Sequence, residues 1–308
     1  MFRAGRVRTI GGAALALVSS ALVTMLVSQP ALAASSASSA TRTIGWTDLA
    51  PTLIRPNTDY TRLATATRVP GTADGKALKL TLPANPEAGP MGGVGFETTK
   101  AYRYGTFGTR MKTADCTGQN APGVVSAAFT YSRDHSDTNG NGVTDNNEID
   151  FEILCSQPDV VWMTIWTDYS ETSNNLRSIS RVVNVRTGQV LYNCYIVSYG
   201  TGCQTPQAGE NVPAKTQPIP GFDASKQFRT YKFDWQPDRI TFYTFDNQNR
   251  KVVLWDYRGP AERIPHTPSL FMQNVWHSAN WDPFGGRSAH NRPTVANTAF
   301  IDSTFLPQ

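Results

Sequence analysis

Residues Asn147 to Leu154 read N-E-I-D-F-E-I-L. Side chains alternate along a strand, so this run puts Glu148, Asp150 and Glu152 on one face and Ile149, Phe151 and Ile153 on the other. The apolar set asks for a core. The acidic set brings three carboxylates side by side with no Lys or Arg among them, and such neighbours raise one another's pKa. A solvated strand face is one reading. Strands, however, avoid Asp and tend to alternate charge sign. The chemistry open to three crowded carboxyls is acid/base and nucleophilic work on a sugar acetal. One carboxyl then stays protonated as the acid while another is ionised as the nucleophile. Cα atoms four apart on a strand are about 13 Å apart. Two Glu converging from those positions leave roughly 5 Å between carboxyl groups, which fits a retaining pair better than an inverting one. Asp150, between them, can hydrogen-bond one Glu and set the order of ionisation.

The next alternating run, Val160 to Thr167, sets Trp162, Thr164 and Trp166 on one face and Val161, Met163 and Ile165 on the other. The aliphatic face has the simpler claim to the core. The two Trp then either form a flat platform for pyranose rings or fill core themselves. Asp137, Asn139, Asn141 and Asp145 lie in D-T-N-G-N-G-V-T-D, with Glu148 at the twelfth position. This fits a calcium-loop pattern. Its flanks are not helical, and Glu148 cannot easily be both ligand and nucleophile. The run is therefore either a structural Ca²⁺ loop without Glu148 or an Asx/Gly turn. No cofactor is required for the acetal chemistry.

The elements that must position these residues read as short strands. Ala77 to Leu82, Tyr231 to Trp235, Arg239 to Phe245, Leu270 to Trp276 and Thr298 to Phe305 all alternate. Turn residues separate them, and no long amphipathic helix pattern is present. The expected fold is all-β, a sandwich or barrel in one domain from residue 46 to 308. Val182 to Ile219 is expected as a long loop excursion pinned by a disulfide. Hydrophobic residues make up 40% of the 308 positions, enough for a core.

Five segments carry a resemblance to glycoside hydrolase family 16, in that family's order. Glu148-Ile149-Asp150-Phe151-Glu152 resembles its E-x-D-x-E signature. Tyr104 to Lys112 resembles its Y-G-x-[FY]-E-x-R-[IM]-K strand, with Gly108 where Glu is usual. Gly123 to Tyr131 resembles the strand before the catalytic one in lichenases. Phe228 to Ile240 is similar to H-x-Y-x-x-x-W-x-P-x-x-I, with Phe228-Arg229 in place of F-H. Met272 to Trp276 resembles M-x-N-x-W. The resemblance implies a β-jelly-roll sandwich of two antiparallel sheets with a concave substrate cleft. It implies Glu148 as nucleophile, Glu152 as general acid/base and Asp150 as the assisting carboxyl. It directs attention to Tyr131, Asn274, Trp276 and Trp281 as cleft residues beside Trp162 and Trp166, with His277 to Gly286 as a rim. The short signature is similar to lichenases and xyloglucan endotransglycosylases, and leans toward a β-glucan. Ile153-Leu154-Cys155 departs from the F-L-G those relatives often carry. Arg62, Tyr102 and His135 are single polar loop residues without an arguable role.

The first 33 residues read as a secretory signal peptide: Arg3, Arg6 and Arg8, an apolar stretch from Ile10 to Val27, then Ala31-Leu32-Ala33. An uncleaved anchor is the alternative. Residues 34–45 are expected as a Ser/Ala linker. Of 28 Lys and Arg against 24 Asp and Glu, three Arg leave with the signal, so 25 face 24 in the exported chain. No basic stripe remains, which disfavours nucleic acid. Four cysteines allow three pairings; export favours disulfides, and the short loop favours Cys194–Cys203 with Cys116–Cys155. The expectation is a secreted, monomeric, endo-acting retaining hydrolase of β-glycosidic bonds in a polysaccharide. It has no membrane partner once the signal is removed. The rivals are a transglycosylase acting on cell-wall glycans and a non-catalytic carbohydrate-binding jelly roll.

Overall fold

The computed structural model describes residues 41–45, 54–56, 63–170, 175–196, 203, 215–281 and 290–308. The expected signal peptide at 1–33 lies outside the described residues, as do residues 34–40 of the expected linker and 282–286 of the expected rim.

Among the described residues, sixteen strands follow one another. They are β1 (Thr41–Gly45), β2 (Ile54–Pro56), β3 (Leu63–Thr67), β4 (Lys76–Leu82), β5 (Gly89–Thr98), β6 (Gly105–Lys112), β7 (Val124–Tyr131) and β8 (Asp145–Leu154), then β9 (Val160–Ser170), β10 (Asn175–Asn184), β11 (Gln189–Ile196), β12 (Arg229–Gln236), β13 (Arg239–Phe245), β14 (Lys251–Tyr257), β15 (Leu270–His277) and β16 (Asn297–Pro307). They form two antiparallel sheets of the jelly-roll class. One runs β14-β13-β12-β6-β16-β4-β3, with β1 added on β16. The other runs β11-β10-β9-β8-β7-β15-β5-β2 and holds the carboxylate strand β8 near its middle.

The core is the apolar half of each alternation. Ile149, Phe151 and Ile153 of β8 and Val161, Met163 and Ile165 of β9 are buried in one cluster with Phe107, Tyr231, Phe233, Trp235, Phe242 and Trp255 of the other sheet. Phe151 meets Phe242 edge-on at 5.1 Å between ring centroids. One polar link crosses this core. Gln273 is fully buried and accepts from Thr109 Oγ1 at 2.7 Å, while its Nε2 donates to Thr304 Oγ1 at 2.6 Å. Satisfied on both sides, it costs little, and it fixes the strand that presents the next residue, Asn274, on the opposite face. Gly108 lies between β12 and β16. A Cβ there would collide with the Tyr231 carbonyl oxygen, so this chain has no room for the family's usual Glu.

Two expectations are corrected. Thr41–Gly45 is not linker but strand β1, paired along its length with Ser303 to Pro307. Its T-R-T-I sequence offers β-branched residues, which suit a pleated edge. The expected excursion from Val182 is also strand at its start. Residues 182–184 finish β10 and Gln189–Ile196 forms β11, joined by a turn at Gly188, whose φ is +73°. The Gly, Pro and Gln content that reads as loop is concentrated further along the chain. Both disulfides pair as expected, Cys116–Cys155 and Cys194–Cys203.

Candidate active site

Strand alternation places Glu148, Asp150 and Glu152 on the face of the second sheet away from the core. The register fixes their neighbours. Glu148 stands between Tyr131 of β7 and Trp166 of β9, Asp150 between Phe129 and Thr164, and Glu152 between Ala127 and Trp162. The rows continue into β15, where Leu270, Met272 and Asn274 oppose Tyr131, Phe129 and Ala127. Thus Tyr131, Trp162, Trp166 and Asn274 share the carboxylate face. Trp276, opposite Val125, lies one row beyond Glu152.

The three carboxyls differ in surroundings. Asp150 is buried and accepts a hydrogen bond from Trp166 Nε1 at 3.1 Å. Trp166 is therefore more than a flat surface: it holds the central carboxyl. Burial, with the charges of Glu148 and Glu152 beside it, pushes the Asp150 pKa well above the carboxylate range. Asp150 shares a hydrogen bond with Glu148 and favours the latter's ionised form. Burial also raises Glu148, but Asn146 and Asp150 pull against it, and its pKa stands at about 7. Glu152, raised by burial and by the charge of Glu148, stands at about 8. Near neutral pH the pattern is an ionised Glu148 beside a protonated Glu152. The protons of such a group belong to the set rather than to single residues, yet the ordering follows from the neighbours.

Asn146 was not legible in the sequence. It reaches Glu148 because of a β-bulge: β8 and β9 shift register between Asp145 and Glu148. Such a bulge inserts one extra residue and re-aims side chains. Asn146, two before Glu148, donates from Nδ2 to Glu148 Oε2 at 3.2 Å. Asn147 turns the other way, and its Oδ1 accepts from the backbone N–H of His266 and Thr267. His135 also gains a place, with Nε2 3.3 Å from the Tyr131 hydroxyl. Tyr102 bridges to Ser269 and packs on Phe107, away from the carboxylates; Arg62 lies outside the described residues.

The Glu152 end is aromatic. Trp162 meets Trp281 edge-on at 4.9 Å and Tyr192 at 6.4 Å, and Trp281 meets Trp276 at 6.1 Å. Trp276 and Trp281 pack on buried Val125 and Leu154. These rings are half-buried, so they line a surface as well as fill space. Cys155, the residue after β8, is tied to Cys116 and fixes this end of the strand.

Asp137, Asn139 and Asn141 turn side-chain oxygens toward backbone N–H groups of their own loop. Asp137 accepts from the N–H groups of Asn141 and Gly142, Asn139 from that of Asn141, and Asn141 from that of Val143. Buried Asp145 instead receives Thr138 and lies 3.7 Å from His266 Nε2. These are Asx turns. Among the described residues, no group of three or more His, Cys, Asp or Glu is arranged to hold a metal.

Comparison with known proteins adds names to this geometry. The chain is 29% identical over 209 residues to a beta-glucanase of Acetivibrio thermocellus, covering 67% of this chain and 44% of that protein. It is 27% identical over 242 residues to a beta-glucanase of Paenibacillus polymyxa, covering 78% and 74%. It thus spans less than half of the first relative and about three quarters of the second. The solved structure of a Bacillus licheniformis beta-glucanase aligns over 87% of this chain and 98% of its own, with 20% identity and a TM-score of 0.46. The model for glycosyl hydrolases family 16 matches residues 57–185 and 181–292, most of the sequence and all three carboxylates. The chain belongs to glycosyl hydrolases family 16.

Proposed function

We propose that this protein is a secreted, endo-acting retaining hydrolase that cleaves β-glycosidic bonds of a β-glucan. The observation that carries this reading is the carboxylate row, with two Glu four residues apart on one strand face and Asp150 between them. Glu148, ionised and steadied by Asn146 and Asp150, attacks the anomeric carbon. Glu152 gives its proton to the leaving glycosidic oxygen, and a covalent glycosyl-enzyme forms on Glu148. Glu152, now ionised, takes a proton from water, which attacks the same carbon and frees Glu148. Asp150, held by the Trp166 indole, hydrogen-bonds the nucleophile. Trp162, Trp276 and Trp281 offer apolar rings to pyranose faces on the Glu152 side, and Tyr131 and Asn274 offer polar groups nearby. Relatives named beta-glucanase support the substrate class. The signal-peptide pattern and two disulfides support export, since disulfides persist in oxidising compartments.

A reducing-sugar assay over a panel of β-glucans and galactans tests this. Wild type should release ends from at least one β-glucan, and Glu148→Gln from none. Equal behaviour of the two on every polysaccharide would remove the assignment. A second reading has its own support. The apolar lining beside Glu152 could seat a sugar acceptor in place of water, which would make the enzyme a transglycosylase. Product sizing with a labelled oligosaccharide acceptor separates the two, because transfer yields labelled products longer than the acceptor.

A further inference from the structure

One charged group on the carboxylate face takes no part in this reaction. Glu97 of β5 lies opposite Met272, on the row that leads through Phe129 to Asp150. Its neighbour Phe96 points into the core. β5 is three strands from β8, so Glu97 stands about 14 Å from Asp150 at the usual strand spacing. Its side chain is 2% exposed, and two guanidinium groups hold it. Arg55 donates from Nε to Oε1 at 2.8 Å, and Arg133 donates from Nη2 to Oε2 at 2.5 Å.

A buried carboxylate needs a partner, and one bidentate Arg supplies it. Here each oxygen takes a separate guanidinium, so the group carries a surplus positive charge. Both Arg side chains are about half exposed, at 56% and 52%. Each guanidinium has five N–H donors, and among the described residues neither hydrogen-bonds any group but Glu97. Glu97 therefore acts as a clamp. It holds two like charges side by side in a fixed pose and leaves their remaining donors to solvent. Arg133 sits near enough to Tyr131 for its charge to act on that phenol, as the charge of Glu148 does. The cationic group and the carboxylates thus border one surface.

We propose that Arg55 and Arg133, clamped by Glu97, form an anion-binding subsite for an acidic group carried by the polysaccharide, a carboxylate or a sulfate, on a sugar other than those flanking the scissile bond. The proposal rests on the hydrolase reading of the same face and narrows its substrate to an acidic or acid-substituted glucan.

The test uses one soluble β-glucan in three forms: native, partly oxidised to uronate, and sulfated to the same degree. Wild type, Arg55→Gln, Arg133→Gln and Arg133→Lys are compared by kcat/KM from reducing ends. The expected result is about a tenfold preference of wild type for an acidic form over the native one, in the range of one charge-assisted hydrogen bond. That preference should shrink with added salt, persist in part in Arg133→Lys and approach one in both Gln variants. A preference for uronate alone or for sulfate alone identifies the group, and either supports the subsite. A wild-type ratio at or below one overturns it, as does a ratio that neither Gln variant changes. Arg55 lies on edge strand β2, so Arg55→Gln serves where Arg133→Gln fails to fold. Should no glucan be cleaved, the hydrolase reading fails by itself. Retardation of Glu148→Gln, with and without Arg55→Gln, in gels holding native or acidic glucan then still reads the subsite.

Discussion

The two ends of β8 carry the same side chain in different company. Glu148 sits at the polar end, beside a bulge, with Asn146, Asp150 and Tyr131 within reach. Glu152 sits at the apolar end among Trp162, Trp276 and Trp281, and among the described residues none donates a hydrogen bond to it. Donors to a carboxylate favour its charged form, and desolvation without donors favours the neutral form. The values of about 7 and about 8 follow that order. Two identical residues four apart in sequence are thus given different acidities by what touches them, not by what they are.

The largest test of this contrast is to remove each carboxylate in turn. Glu148→Gln should cost at least about a thousandfold in kcat on any substrate, since nucleophile and general base act as a unit. Glu152→Gln should cost a similar factor on polysaccharide but far less on an aryl glucoside whose leaving group needs no proton. Equal losses on both substrates for Glu152→Gln would break the division of labour. Next comes the covalent anchor of the apolar end. Replacing Cys116 and Cys155 by Ser frees a crosslink spanning 39 positions, worth about 4 kcal/mol in the chain-entropy view. Urea unfolding should show it.

Asn146→Ala removes a charge-assisted hydrogen bond, roughly 1.5–3 kcal/mol. It should lower kcat/KM about tenfold or more and move the acid limb of the pH profile upward, because the lost donor favoured ionised Glu148. Wild type itself should show a narrow bell between about 7 and about 8, and a broad plateau from pH 5 would contradict it. Trp162→Ala should do the reverse at the other limb. Water admitted beside Glu152 lowers its pKa, and the alkaline limb falls by up to about one pH unit.

The smallest effect is the pH dependence of stability. The folded carboxyls keep protons that the unfolded chain has released between pH 4.5 and about 7 to 8. The native state binds more protons across that window, so stability falls as pH rises through it. Glu152→Gln should therefore raise Tm by a few degrees at pH 8 and hardly at all at pH 4.

Much of this site was legible because strand alternation is a rigid rule. The carboxylate face, the Trp162 and Trp166 face and the aliphatic core faces of β8 and β9 all follow from period two. The Cys194–Cys203 pair follows from its short loop. What escaped depends on contacts that no spacing encodes. Only the bulge aims Asn146 at Glu148. The indole hydrogen bond of Trp166 to Asp150 joins two strands sixteen residues apart. Strand β1 hides in a Ser/Ala-rich context, since its partner β16 lies at the far end of the chain. Glu97, Arg55 and Arg133 come from three separate segments and meet only through the order β7-β15-β5-β2.

The bulge at Asn146 and Asn147 has a consequence for how such enzymes diversify. A one-residue slip in a strand turns every side chain to the opposite face. Ahead of β8 lies the loop from Ser132 to Thr144, on the flank of Glu148. The register is broken between that loop and Glu148 and continuous from Glu148 onward. The break works as a seam. Residues can be gained or lost on the loop side while Glu148, Asp150 and Glu152 keep their orientation.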